Sequence, residues 1–83
     1  MLSKEELIGK IQAAEELKDM LPVCELNRRI YQDVLDNYEQ GEKYVQEQIS
    51  YIKAVAGIIL PTENAKVCIN IYEYVLNGNQ YVK

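Results

Sequence analysis

The chain has 83 residues, of which 48% are hydrophobic and 27% charged, with a formal net charge of −4. That balance describes one globular domain rather than a disordered segment, and no apolar run reaches the roughly 18 residues needed to cross a membrane. There is no His to serve as a base, so Ser–His and Cys–His hydrolase chemistry is excluded, and the four glycines are isolated rather than gathered in a phosphate loop.

In chain order, Ser3 and Glu6 have the spacing of a capping box, in which each side chain accepts a hydrogen bond from the other's backbone N–H. The ten residues that open the chain, MLSKEELIGK, lack the apolar stretch of a secretory signal. From there Leu7, Ile8, Ile11, Ala14, Leu17 and Leu21 recur at helical spacing, predicting a first helix over about 4–21 that Pro22 ends. A second helix is predicted over 23–40, with Val23, Cys24, Leu26, Ile30, Tyr31, Val34, Leu35 and Tyr38 on an apolar arc. Gly41 is a natural residue just past a helix end, the alternative being a glycine tolerated within one long helix.

The third helix, 42–59, carries Val45, Ile49, Ile52, Val55, Ala56 and Ile59, and Pro61 stops it. The stretch KVCINIYEYVLNG is rich in residues that favour strands, yet its polar residues Lys66, Asn70, Glu73 and Asn77 lie on one helical stripe. It reads as a fourth helix over 63–77, with Thr62 as its N-cap and Gly78 opening a tail over 78–83. The expected fold is therefore all-α: a small three- to four-helix bundle of antiparallel helices with short Pro/Gly connections.

This last helix is apolar on two nearly opposite faces. Ala65, Cys68, Ile69, Tyr72 and Leu76 make one; Val67, Ile71 and Tyr74 make the other. A domain this small has little material to surround a helix, so Val67, Ile71 and Tyr74 are expected to form a surface for self-association or for a partner. Asn27 and Gln48 sit inside apolar arcs, where a buried amide without partners costs about 1–3 kcal/mol. Each is a candidate for fixing interface specificity.

Charge is uneven. Residues 1–47 hold eleven of the thirteen acids and six of the nine bases, giving −5, while residues 48–83 hold two acids and three bases, giving +1. An acidic half argues against binding a nucleic-acid backbone, and the Arg28–Arg29 pair reads as a solvated face. Glu15, Glu16, Asp19, Asp33 and Asp36 could present an acidic surface to a basic partner. The order of these acids loosely resembles the all-α nucleotide pyrophosphatases, whose paired helices hold Mg²⁺. Such a resemblance implies a metal-dependent enzyme acting on nucleotides, but the acids fall on the polar side of each helix, where a solvated face is the simpler reading.

Cys24 and Cys68 are far apart with no CxxC spacing, which argues against a zinc site and suggests small buried hydrophobes. A disulfide between two helix starts, or a thiolate at Cys24, are the alternatives. The seven tyrosines suit a core edge or a binding rim, where the ring is buried and the hydroxyl stays wet. The functional expectation is a small, acidic, non-catalytic cytoplasmic protein that needs no cofactor or metal and binds another protein. It would be a regulator, inhibitor or immunity-type factor of the kind phages and mobile elements encode, itself dimeric and without membrane or nucleic-acid contacts. A scaffold subunit of a larger assembly and the Mg²⁺-dependent enzyme are the lesser readings.

Overall fold

The computed structural model describes residues 1–78, and these form four α-helices: α1 (Lys4–Leu17), α2 (Val23–Asp36), α3 (Glu42–Val55) and α4 (Thr62–Asn77). The predicted capping box opens α1: the Ser3 N–H donates to Glu6 Oε1 at 2.8 Å and the Glu6 N–H donates to Ser3 Oγ at 3.1 Å. Gly78, at φ +73°, closes α4 by donating its N–H to the Tyr74 carbonyl at 2.8 Å.

The other boundaries differ from the sequence reading, each for a local reason. α1 ends at Leu17, short of residue 21, because the N–H groups of both Met20 and Leu21 turn back onto the Leu17 carbonyl. α2 stops at Asp36. A single 3₁₀ turn, Tyr38–Gln40, follows it, and then Gly41 adopts φ +71° and ψ −156°, a region open essentially only to glycine. α3 ends at Val55, whose carbonyl receives the N–H groups of Ile58, Ile59 and Leu60 while Gly57 turns at φ +81°. Thr62 is the first residue of α4 rather than its cap; Pro61 precedes the helix and no side chain caps it.

The helices pair as two hairpins, α1 with α2 and α3 with α4. Arg28 Nε lies 3.3 Å from Glu15 Oε1 near the first turn, and the Tyr38 hydroxyl donates to the Leu2 carbonyl at 2.8 Å at the far end, so α2 returns along α1. In the second hairpin Ala56 bridges to Leu60 beside the turn, and further along Tyr44 and Tyr72 reach the same partner. Stepping back along α3 from Ala56 to Tyr44 and forward along α4 from Leu60 to Tyr72 covers equal lengths of chain, so α4 returns along α3.

The hairpins join at one end, the base, where α1 and α3 begin and α2 and α4 finish. There the Leu2 N–H donates to the Val75 carbonyl at 2.9 Å. The four largest fully buried side chains, Leu7, Val34, Val45 and Val75, come one from each helix and all lie toward this end. The main core adds Ile30, Ile49, Ile52, Ala65, Ile71 and Tyr72. Ala14 and Cys24, near the first turn, are buried but stand outside that cluster.

Concentrating the core at the base makes stability uneven. Leu7→Ala is expected to lower the unfolding free energy by about 3 kcal/mol, through lost transfer energy and the cavity left behind. Leu21→Ala, at an exposed position of the first turn, is expected to change it by less than about 0.5 kcal/mol. Urea denaturation followed by circular dichroism measures both.

Candidate functional site

Two places in this fold carry more chemistry than a helical core requires: a polar cluster at the base and the exposed side chains of the two turns. The cluster is built on Asp33. On α2 it follows Gln32 and precedes Val34, one helical turn past Ile30, so it sits at the margin of the apolar arc. The Tyr44 hydroxyl from α3 donates to its carboxylate at 2.8 Å and 2.9 Å to the two oxygens, and the Tyr72 hydroxyl from α4 donates to Oδ2 at 2.9 Å. Asn37 secures the end of the same helix, donating from Nδ2 to the Asp33 carbonyl at 2.8 Å. One carboxylate of the first hairpin therefore receives two phenols of the second.

The environment keeps those phenols protonated. Burial, followed by the neighbouring Asp33 carboxylate, pushes the Tyr44 hydroxyl from 10.0 up to about 12, and the same two causes raise Tyr72 strongly. Asp33 and Tyr44 are half-buried and Tyr72 is buried, so the cluster lies at the edge of the core. A carboxylate engaged by two donors from the other hairpin acts as a structural tie between the hairpins.

The sequence-predicted positions fare differently. Ile71 is only 9% exposed and belongs to the core, so it is not part of a free surface. The reason is that α4 contacts both α3 and α2 and receives Leu2 near its end, which takes Ile71 into the core. Tyr74 is half-buried against the core, with the Lys10 ammonium 5.1 Å above its ring. Val67 alone of the three stays open, at 37% exposure.

Asp33 likewise leaves the proposed acidic surface, because it turns inward to the two tyrosines. Glu15 is held by Lys18 at 3.0 Å and Arg28 at 3.3 Å, and Asp36 accepts from Gln32 at 2.9 Å. Glu16 and Asp19 remain exposed. The acids are not drawn together, and among the described residues no three acidic or cysteine side chains converge as metal ligands. The Arg28–Arg29 pair clamps Glu25, and hydrogen bonds first from Arg28 and then Arg29 hold that carboxyl down at about 2.

Asn27 and Gln48 are each half-buried; Asn27 lines a shallow cleft between α1 and α2. No buried side-chain polar atom lacks a partner among the described residues, so neither amide is stranded. Cys24 and Cys68 are both free, and burial pushes the Cys68 thiol up. Of the tyrosines, Tyr31 is buried, Tyr51 is exposed, and Tyr81 lies outside the described residues.

Most of the surplus apolar surface lies at the turns, with Ile8 on α1 and Tyr51 on α3 also exposed. Met20 is 75% exposed, and Leu17 and Leu21 beside it are open; in the second turn Ile58 and Ile59 are 81% and 72% exposed. Both turns stand one helix length, about 21 Å, from the base. Helical periodicity did not single them out, because it assigned all five residues to helix ends or buried stripes. The signal present in the sequence was the run of apolar residues on either side of Pro22 and before Pro61.

No protein-family model, curated protein or solved structure matches this chain. No helix among the described residues is long and apolar enough to cross a membrane.

The tie makes two checkable outcomes. Tyr72→Phe is expected to destabilise the fold by about 1–2 kcal/mol, less when introduced into Asp33→Asn than into the native chain, as a double-mutant cycle in urea measures. Because the folded values of Tyr44 and Tyr72 are raised, their contribution is fully present below pH 10, the unfolded value, and is lost as pH rises above it. Thermal melts between pH 8 and pH 11 are expected to show that decline.

Proposed function

We propose that this chain is a non-catalytic protein that acts by protein–protein binding through the apolar side chains of its two turns. The observation that supports this most is the exposure of Leu17, Met20, Leu21, Ile58 and Ile59. A monomeric surface seldom gathers large apolar side chains without a use for them, and no fold requirement calls for them here. The absence of His from the sequence and the enclosure of Asp33 by tyrosine hydroxyls favour binding over catalysis.

The acidic face of the first hairpin, with Glu16 and Asp19 exposed beside the apolar turn, favours a surface of opposite charge. The free Cys24 and Cys68 suit a reducing compartment such as the cytoplasm. Regulator, inhibitor or immunity factor are the roles that such a small binding module fills.

Immobilised chain exposed to lysate of its source organism provides the test. A protein retained by the native chain and lost with both Met20→Asp/Leu21→Asp and Ile58→Asp/Ile59→Asp is the expected result. Retention that is indifferent to both variants, while they keep native helicity, would contradict the reading.

A further inference from the structure

We infer that the partner of the apolar turns is a second copy of this chain, with the first turn of each copy seated on the second turn of the other. This rests on the reading that the turns are a docking surface, and it adds what covers them.

Charge decides the occupant. Leu17, Met20 and Leu21 lie among Glu16 and Asp19, exposed carboxylates outside every ion pair among the described residues, while Lys18 in the same turn is held by Glu15. Residues 16–21 hold two acids and one base, a net −1. The second turn is the reverse. Ile58 and Ile59 lie between Lys53 and Lys66, exposed ammonium groups also outside every ion pair among the described residues, and Val67 follows Lys66. Residues 53–67 hold two bases and Glu63 as the single acid, a net +1.

Each turn is therefore apolar at its centre and charged at its rim, with opposite rim signs. A turn placed on its own kind meets like charges; placed on the other kind it meets opposite ones. Both turns belong to one chain, so a two-fold axis supplies both contacts at once and closes the assembly as a dimer. An acidic protein of net −4 meets a second copy with least repulsion where the rims compensate.

Sedimentation velocity on the full chain tests this, with circular dichroism as the check on folding; every substituted position is exposed. The native chain is expected to dimerise. Ile58→Asp/Ile59→Asp is expected to raise the dissociation constant at least about tenfold. The two charge reversals, Glu16→Lys/Asp19→Lys and Lys53→Glu/Lys66→Glu, are each expected to weaken the homodimer. Mixed together, they are expected to form a heterodimer tighter than either alone. A native chain monomeric up to about 1 mM, or reversed variants that show no preference for each other, would overturn the inference. In either case lysate capture that remains sensitive to the turn variants would leave the protein-binding reading standing, and insensitive capture would remove both.

Discussion

One carboxylate holds the two halves of this protein together. Asp33 lies on the first hairpin, and the two phenols that donate to it come from the second. A charged acceptor engaged by two neutral donors at 2.8–2.9 Å is stronger than a neutral hydrogen bond, and part-burial of the cluster reduces competition from water. It also fixes register. Sliding α3 against α4 would separate Tyr44 from Tyr72, and rotating α2 would carry Asp33 away from both. The apolar contacts of Val34, Val45 and Val75 around it are non-directional and could accept several arrangements; the tie selects one.

That selection gives the molecule two unlike ends. The base carries the tie, the Leu2–Val75 hydrogen bond and the fully buried side chains. The turns carry small buried residues such as Ala14 and Ala65, and large exposed ones. The largest fully buried side chains are at the base, while toward the second turn the core thins to Ile52 and Ala65. The turns are left with apolar side chains and unpaired charges, which suits them to contact rather than to folding.

Much of the architecture was legible in the residues. Ser3 and Glu6 announced the start of α1, the polar stripe from Lys66 to Asn77 distinguished a helix from a strand, and Gly78 marked its end. What periodicity could not convey was three-dimensional neighbourhood. It identified the two apolar faces of α4 but not that packing against α2 and α3 would take Ile71 into the core, so Ile71 looked available when it is not. It placed Asp33 opposite the apolar stripe, yet the length of a tyrosine side chain lets Tyr44 and Tyr72 reach around that margin. Two tyrosines flanking core stripes, each with a hydroxyl in need of an acceptor, were the available signal. The ends of α1 and α3 were misjudged because apolar residues continued past them; backbone turns onto the Leu17 and Val55 carbonyls, not side-chain pattern, stopped those helices.

The most direct test of the tie is a carbon-13 NMR titration of the tyrosine rings in the native chain and in Asp33→Asn. Tyr44 and Tyr72 are expected to ionise well above the ordinary value near 10, Tyr44 at about 12, and both to move down when the carboxylate is removed. Ordinary titration of both rings in the native chain, unchanged in the variant, would show that Asp33 does not join the hairpins.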